Sequence, residues 1–347
     1  MQPYMGLGNS LQTAQGGAAG GIGGWVELGR TVLGSTSNNF SVDSLANKRY
    51  YMVLGNGLPS SGMDMHLRVG NGSIDTGSNY AKRENDNGGS DNTGTSIGYM
   101  TFAKGSGQAW DVFGVGHISN LSGKEKLLIA NGCDTGGTGA GNIGNRRESA
   151  CKWANTSNPI DTIGTYNTSG NFAAGSEVVI LGWDPADTHT SNFWEELASV
   201  ELGSAGDNLS SGTITAKKYL WVQAYCIASG AIDMKLTWNN VSTSTYAQRR
   251  SINGGADATA TSQANVYTAP DNTNYFLNMF FVNDGSNEPL GMIHAVHQNT
   301  AGAATAPQRS ETVCKNSNTT QITEIDIDNS AAGSFDTGSI IKVYGSD

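Results

Sequence analysis

The sequence predicts an all-β protein made of two tandem, similar antiparallel β-sandwich domains of jelly-roll type. Three observations carry that reading: composition, an internal repeat and period-two patterning. Of 347 residues, 47 are glycine and only 14% are charged, well below the quarter expected of an ordinary globular domain. Gly, Asn, Ser and Thr fill the gap, which suits short strands joined by turns and disfavours a helical bundle.

The repeat is explicit. Trp25 opens WVELGRTVLGS and Trp194 opens WEELASVELGS. At that offset Gly34 meets Gly203, Lys48 meets Lys217, Tyr50 meets Tyr219, and Asp64-Met65 meets Asp233-Met234. After a three-residue loss near Gly72, Tyr80-Ala81 meets Tyr246-Ala247 and Asn87-Gly88-Gly89 meets Asn253-Gly254-Gly255. After a second such loss, Glu148 meets Glu311, Cys151-Lys152 meets Cys314-Lys315, Phe172 meets Phe335 and Gly182 meets Gly345. The gaps fall in Gly/Asn/Ser-rich stretches, where loops tolerate deletion. A period this long is a duplicated domain, not a solenoid.

The copies are expected over residues 25–184 and 194–347, joined by a short polar linker over 185–193. That linker is too short to act as a tether, so a semi-rigid pair is expected. Residues 1–24, with clusters such as GGAAGG, read as a flexible Gly-rich arm.

Alternation is clearest where Met63, Met65, Leu67 and Val69 interleave with Asp64, His66 and Arg68. The second copy repeats it, with Ile232, Met234, Leu236 and Trp238 on one face. Each is a strand with one buried and one solvated face. Residues 323–328, TEIDID, alternate with an acidic outer face. Further strands are expected over residues 26–33, 50–54, 110–117, 126–130, 148–153, near 160–166 and over 177–183, giving about eight per copy. The stretch 193–200 alone is helix-compatible, yet it aligns with a strand in the first copy. Eight strands in each copy fit a two-sheet jelly roll; a closed up-and-down barrel is the other option.

Charge and motifs exclude several functions. A net charge of −10 argues against nucleic acid, which needs a basic patch. No apolar run reaches transmembrane length, so no membrane insertion is expected. The N-terminus lacks a basic start and an apolar core, so no signal peptide is read. There is no P-loop, no GxSxG string and no CxxC pair.

Isolated candidates each have a plainer explanation. His294 and His297 are three apart, which on a strand puts them on opposite faces and unsuits them to one metal. Asp326, Asp328 and Asp336 have the chemistry for Ca²⁺, but Asp326 and Asp328 also fit a solvated strand face. Glu148 follows Arg147 and Glu311 follows Arg309-Ser310, so an ion pair is favoured over catalysis. Cys133, Cys151, Cys226 and Cys314 are too few for a disulfide scaffold. Cys151 and Cys314 read as small buried hydrophobes, and the match of Cys133 to Val296 suggests burial there too; a Cys133–Cys151 disulfide stays open. The sequons at Asn71, Asn120, Asn155, Asn167, Asn208, Asn240 and Asn318 follow from an Asn/Ser/Thr-rich chain. Trp25 and Trp194 have the chemistry for sugar stacking, but equivalent placement favours packing anchors. No catalytic residue, cofactor, metal or binding residue is assigned.

The strings GWVELG, NGGADATATSQ, CKWANTSN, GSEVVILGWDPADTHT, FWEELASVELGSAGDNLSSGTITAKKYLWVQ and ITEIDIDNSAAGSFDTGSIIKV resemble a family of tandem-duplicated, mostly uncharacterised proteins encoded by marine viruses that infect microbes. The resemblance covers residues 25–347. It implies a structural, non-enzymatic virion protein: a decoration, spike or tail-fibre subunit on the particle exterior, made in the host cytoplasm. The expected partners are further copies of the chain, as a trimer or other cyclic oligomer, and other virion proteins. The rival reading is a glycan- or receptor-binding module, with a host-surface glycan as partner.

Overall fold

The computed structural model describes residues 24–187, 191–261, 264–269, 273–300 and 302–347. All of the expected arm but Gly24 lies outside the described residues. The first domain holds β1 Val26–Val32, β2 Asn39–Val42, β3 Tyr50–Gly57, β4 Met63–Gly70, β5 Tyr80–Asp86, β6 Asn92–Ile97, β7 Met100–Gln108, β8 Val112–Ser119, β9 Lys126–Asp134, β10 Arg146–Trp153, β11 Thr162–Asn167 and β12 Glu177–Trp183. The second holds β13 Glu195–Glu201, β14 Asn208–Ser210, β15 Tyr219–Ile227, β16 Ile232–Trp238, β17 Tyr246–Ile252, β18 Ala258–Ala260, β19 Ala264–Ala269, β20 Asn274–Val282, β21 Leu290–His297, β22 Gln308–Asn316, β23 Ile325–Asn329 and β24 Ile340–Ser346.

Each domain is a jelly roll with a widened sheet. In the first, the order β1-β12-β3-β8-β9-β10-β5-β6 forms one sheet and β2-β11-β4-β7 the other. Without the hairpins β5–β6 and β9–β10, eight strands remain. First then matches last, second seventh, third sixth and fourth fifth, through β1/β12, β2/β11, β3/β8 and β4/β7. That is the double Greek key of a jelly roll. The second domain repeats the order, β13-β24-β15-β20-β21-β22-β17-β18 over β14-β23-β16-β19. The described residues of each domain thus hold twelve strands, not about eight. The additions include β2 and the β5–β6 extension, whose residues are largely polar or exposed. Residues 195–201, which overlap the helix-compatible stretch 193–200, are strand.

Local chemistry fixes these elements. Met63, Met65, Leu67 and Val69 of β4 are all buried, and so are Ile232, Met234, Leu236 and Trp238 of β16. The turns leaving β5 and β17 use the same device in both copies. Asn87-Gly88 and Asn253-Gly254 all have positive φ, and Gly89 N–H donates to Asp86 O at 3.0 Å as Gly255 N–H does to Ile252 O at 2.9 Å. Asn and Gly tolerate that left-handed pair, which matches the twist of a hairpin. Gly132 serves close packing: a Cβ there would lie 2.5 Å from Ala103 Cα.

Part of each eight-stranded sheet is buried on both faces. Inward residues such as Val53, Ile118 and Ile180, or Val222, Phe281 and Ile341, enter the two sandwich cores. Outward residues of the same strands meet across the domain boundary: Met52, Leu54, Phe113, Val179 and Leu181 cluster with Trp194, Tyr219, Phe280, Met292 and Tyr344. The molecule is therefore four layers, with the two large sheets face to face at its centre. Trp25 and Trp194 do act as anchors, but between domains. Trp194 is fully buried, with Phe193 and Trp221 ring centroids 5.0 and 5.7 Å away.

Polar contacts lock this junction. Arg146 meets Asp257 at 2.8 Å, Lys218 meets Glu177 at 2.5 Å, and Tyr219 Oη donates to Glu177 at 2.7 Å. Glu288 accepts from Gly139 N–H at 2.5 Å and from Lys315 at 2.7 Å. At the linker, Lys48 holds Asp187 at 2.7 Å and Phe193 N–H donates to Trp25 O at 2.7 Å.

The expected burial of Cys133, Cys151 and Cys314 is found, and the disulfide left open between Cys133 and Cys151 is not. All four cysteines are free and buried. Cys133 faces the domain junction while Cys151 faces the first sandwich core, so they point to opposite sides of the sheet and form no bridge. Val296, equivalent to Cys133, is exposed, because the junction covers that position in the first domain only.

Candidate functional site

The outer face of the second domain's small sheet carries a polar pocket of about 380 Å³. Asn208 of β14, Lys235 and Thr237 of β16, Asp326 and Asp328 of β23, and Asn240, Ser242 and Tyr246 beyond them line it. Register explains the convergence. Asp328 pairs with Asn208 on one side and Lys235 on the other, and Asp326 with Ser210 and Thr237. Period two then puts Glu324, Asp326 and Asp328 on one face while Ile325 and Ile327 enter the core.

The three carboxylates differ. Asp328 accepts from Asn208 Nδ2 at 2.7 Å and Thr237 Oγ1 at 2.9 Å. Glu324 accepts from Ser210 Oγ at 3.1 Å and Asn240 Nδ2 at 2.6 Å. Asp326, between them, is only 2% exposed, and its Oδ2 has no hydrogen-bond partner. Burial, then the charges of Glu324 and Asp328, push its carboxyl up, against the nearby Ser210 and Asn208 side chains. A buried acceptor left without a donor costs about 1–3 kcal/mol.

The first domain lacks this chemistry. By strand register Gly164 and Tyr166 stand where Asp326 and Asp328 do, and Arg68 where Thr237 does. The Arg68 guanidinium lies 3.6 Å from the Tyr166 ring centroid, and the pocket there, about 150 Å³, holds Arg68, Asn39 and Thr76 but no carboxylate.

The other sequence candidates are dispersed. Asp336 does not line the acidic pocket. His294 sits on the junction face of β21 and lines a groove there, whereas His297 is buried with Nε2 at 3.1 Å from Gln308 Oε1. Glu148 and Glu311 pair with Arg146 and Arg309, the residues two before them on the same strand face. Arg147, the sequence neighbour of Glu148, faces inward to Asp64 at 2.8 Å and Asp86 at 2.9 Å. Among the described residues, no group of three or more His, Cys, Asp and Glu is placed to hold a metal ion, and no helix is long and apolar enough to cross a membrane. The sequons at Asn120 and Asn167 are buried.

Comparison with known proteins adds little. No family model matches the chain, and none of the curated proteins does. Among solved structures, domains LG4-5 of the mouse laminin alpha1 chain are 10% identical, with 94% of this chain and 91% of that one covered, at a TM-score of 0.19. A likeness at that level carries no argument.

Proposed function

We propose that this chain is a non-catalytic recognition module whose second domain binds a polyhydroxylated ligand, a glycan, in the pocket over β14, β23 and β16. The observation that carries this is the buried, unpartnered Oδ2 of Asp326. A sugar hydroxyl supplies the missing donor, and the neighbouring hydroxyl of a vicinal diol accepts from Lys235 or Asn240. The volume lies within the usual range of small-ligand sites. Asp328 and Glu324 are already committed as acceptors, and glycoside hydrolysis needs two working carboxyl groups; recognition fits the set better than turnover.

A glycan array followed by calorimetry tests this. The wild type retains one or more neutral or amino glycans, and Asp326→Ala weakens binding about 10- to 100-fold, the loss of a hydrogen bond to a charged group. An array without binding, or a variant binding as the wild type does, overturns the proposal.

A second reading is a self-assembling component on the exterior of a virus particle, as the sequence resemblance implies. One structural feature favours it: Leu127, Ile129, Tyr225, Phe276 and Val296 are large, apolar and exposed. Electron microscopy of the purified chain at high concentration tests it. Closed rings, a trimer among them, filaments or lattices support it, and dispersed monomers contradict it.

A further inference from the structure

The domains meet through different halves of the same sheet face, which overlap where Met52 and Leu181 of the first are equivalent to Trp221 and Tyr344 of the second. The first contributes the half carrying Leu54, Phe113, Cys133 and Val179, and the second the half carrying Tyr219, Leu290, Met292 and Val313. As copies, both domains also possess the half that the other one uses. By strand register, Phe276, Val296 and Arg309 of the second domain stand where Phe113, Cys133 and Arg146 stand in the first. Leu127, Ile129 and Ala150 of the first stand where Leu290, Met292 and Val313 stand in the second.

Those spare halves are open. Phe276 is 42% exposed, Val296 40%, Leu127 55% and Ile129 66%. Their ion pairs are duplicated too. Lys315–Glu288, 2.7 Å and buried at the junction, has its counterpart in Lys152–Glu125, 2.8 Å and exposed. Arg249–Asp257, with Asp257 buried under Arg146, has its counterpart in Arg83–Asp91, 3.0 Å and exposed. Asp91, Ile129, His294 and Arg309 border one groove of about 330 Å³. Its sides do not close on each other: Asp91 stays with Arg83, and Arg309 stays with Glu311.

We propose that a second copy of this chain covers the spare halves, the second-domain half of one copy packing on the first-domain half of another. The contact repeats the positions used inside the chain, where Phe113 meets Tyr219 and Arg146 meets Asp257, with Val296, Ile129 and Ala150 in place of Cys133, Met292 and Val313. Arg309 of one copy then reaches Asp91 of the next. The contact is heterologous, and closes a ring or extends a filament according to its rotation. This proposal rests on the self-assembly reading above and is independent of the Asp326 pocket.

Light scattering across a concentration series tests it, with the wild type, Arg309→Asp, Asp91→Arg and the double swap. Arg309 and Asp91 are about half exposed but pair with Glu311 and Arg83, so the melting temperature of each variant is measured alongside, and association is compared at a temperature where all are folded. The wild-type mass rises above the 36.2 kDa of one chain. Each single variant weakens association about tenfold or more through like-charge repulsion, and the double swap restores it. A monomer at every concentration overturns both this interface and the self-assembly reading. Association that ignores the single variants, or that the double swap fails to restore, overturns the interface and leaves self-assembly standing. Cysteines placed at 91 and 309 that cross-link within a monomer also overturn it.

Discussion

Replacing Arg146 with Met measures how firmly the junction binds the two domains. Arg146 and Asp257 each have side chains 4% exposed, with contacts of 2.8 Å from Nη2 and 3.2 Å from Nε. Removing one partner of a buried pair costs about 3–5 kcal/mol, mostly the penalty of the charge left behind. Asp257 keeps a longer contact to Arg249 at 3.7 Å, which places the loss at the lower end, about 3 kcal/mol. At about 2–4 °C per kcal/mol for domains of this size, the melting temperature falls by about 6–12 °C. Two variants serve as controls. Arg146→Met with Asp257→Leu strands no deeply buried charge, since Glu148 and Arg249, which each lose a contact, reach solvent, and it recovers most of the loss. Arg309→Met alters the equivalent position in the second domain, where the arginine is 56% exposed and leaves Glu311 at 11% exposure, and costs clearly less, about 1 kcal/mol. The assay is calorimetry with urea unfolding at constant pH. A loss below about 1 kcal/mol for Arg146→Met, or an equal loss for Arg309→Met, refutes the account of the junction.

Two further outcomes follow from the same interface. Trp194→Ala removes a fully buried ring and costs about 3–5 kcal/mol, whereas Trp25→Ala, at a half-buried site beside His117, costs clearly less; equal losses in urea unfolding contradict the packing described. Asp111 is pushed up to about 6 by burial, then by Asp284 and Glu288. The folded state therefore holds its proton more tightly than the unfolded chain, and the stability so gained is full below about pH 4 and lost as pH rises through 6. Asp111→Asn gains about 1–2 kcal/mol at pH 8, a value reduced from the full shift for partial solvent screening, and nothing at pH 4; a gain independent of pH contradicts this.

Much of the fold was legible because duplication writes each register twice. The matches from Trp25/Trp194 to Gly182/Gly345 locate equivalent strands, and the alternation of β4 and β16 fixes which face is buried. What escaped has physical causes. β6, with sequence NTGTSI, lies at a sheet edge with little burial, so no apolar periodicity marks it. The packing of one domain on the other was signalled, however. Residues 51–54 and 178–181 are near-continuous apolar runs, which is how strands covered on both faces read.

The recognition pocket was hardest to see. Asp326 occupies an outward position in a clean alternation, and outward acids normally meet water. Its burial comes from β14 and β16, which flank it from more than 80 residues away in sequence. Arg146 was missed as the partner of Glu148 because adjacency in sequence suggested Arg147. On a strand the same-face neighbour is two residues away, and both copies obey that rule.

The most direct test of the central claim is a crystal structure with a glycan selected from the array. The account predicts a sugar hydroxyl within hydrogen-bonding distance of Asp326 Oδ2, with the ring lying between Lys235 and Asn240. A glycan seated elsewhere on the molecule, with that oxygen still unpartnered, contradicts it.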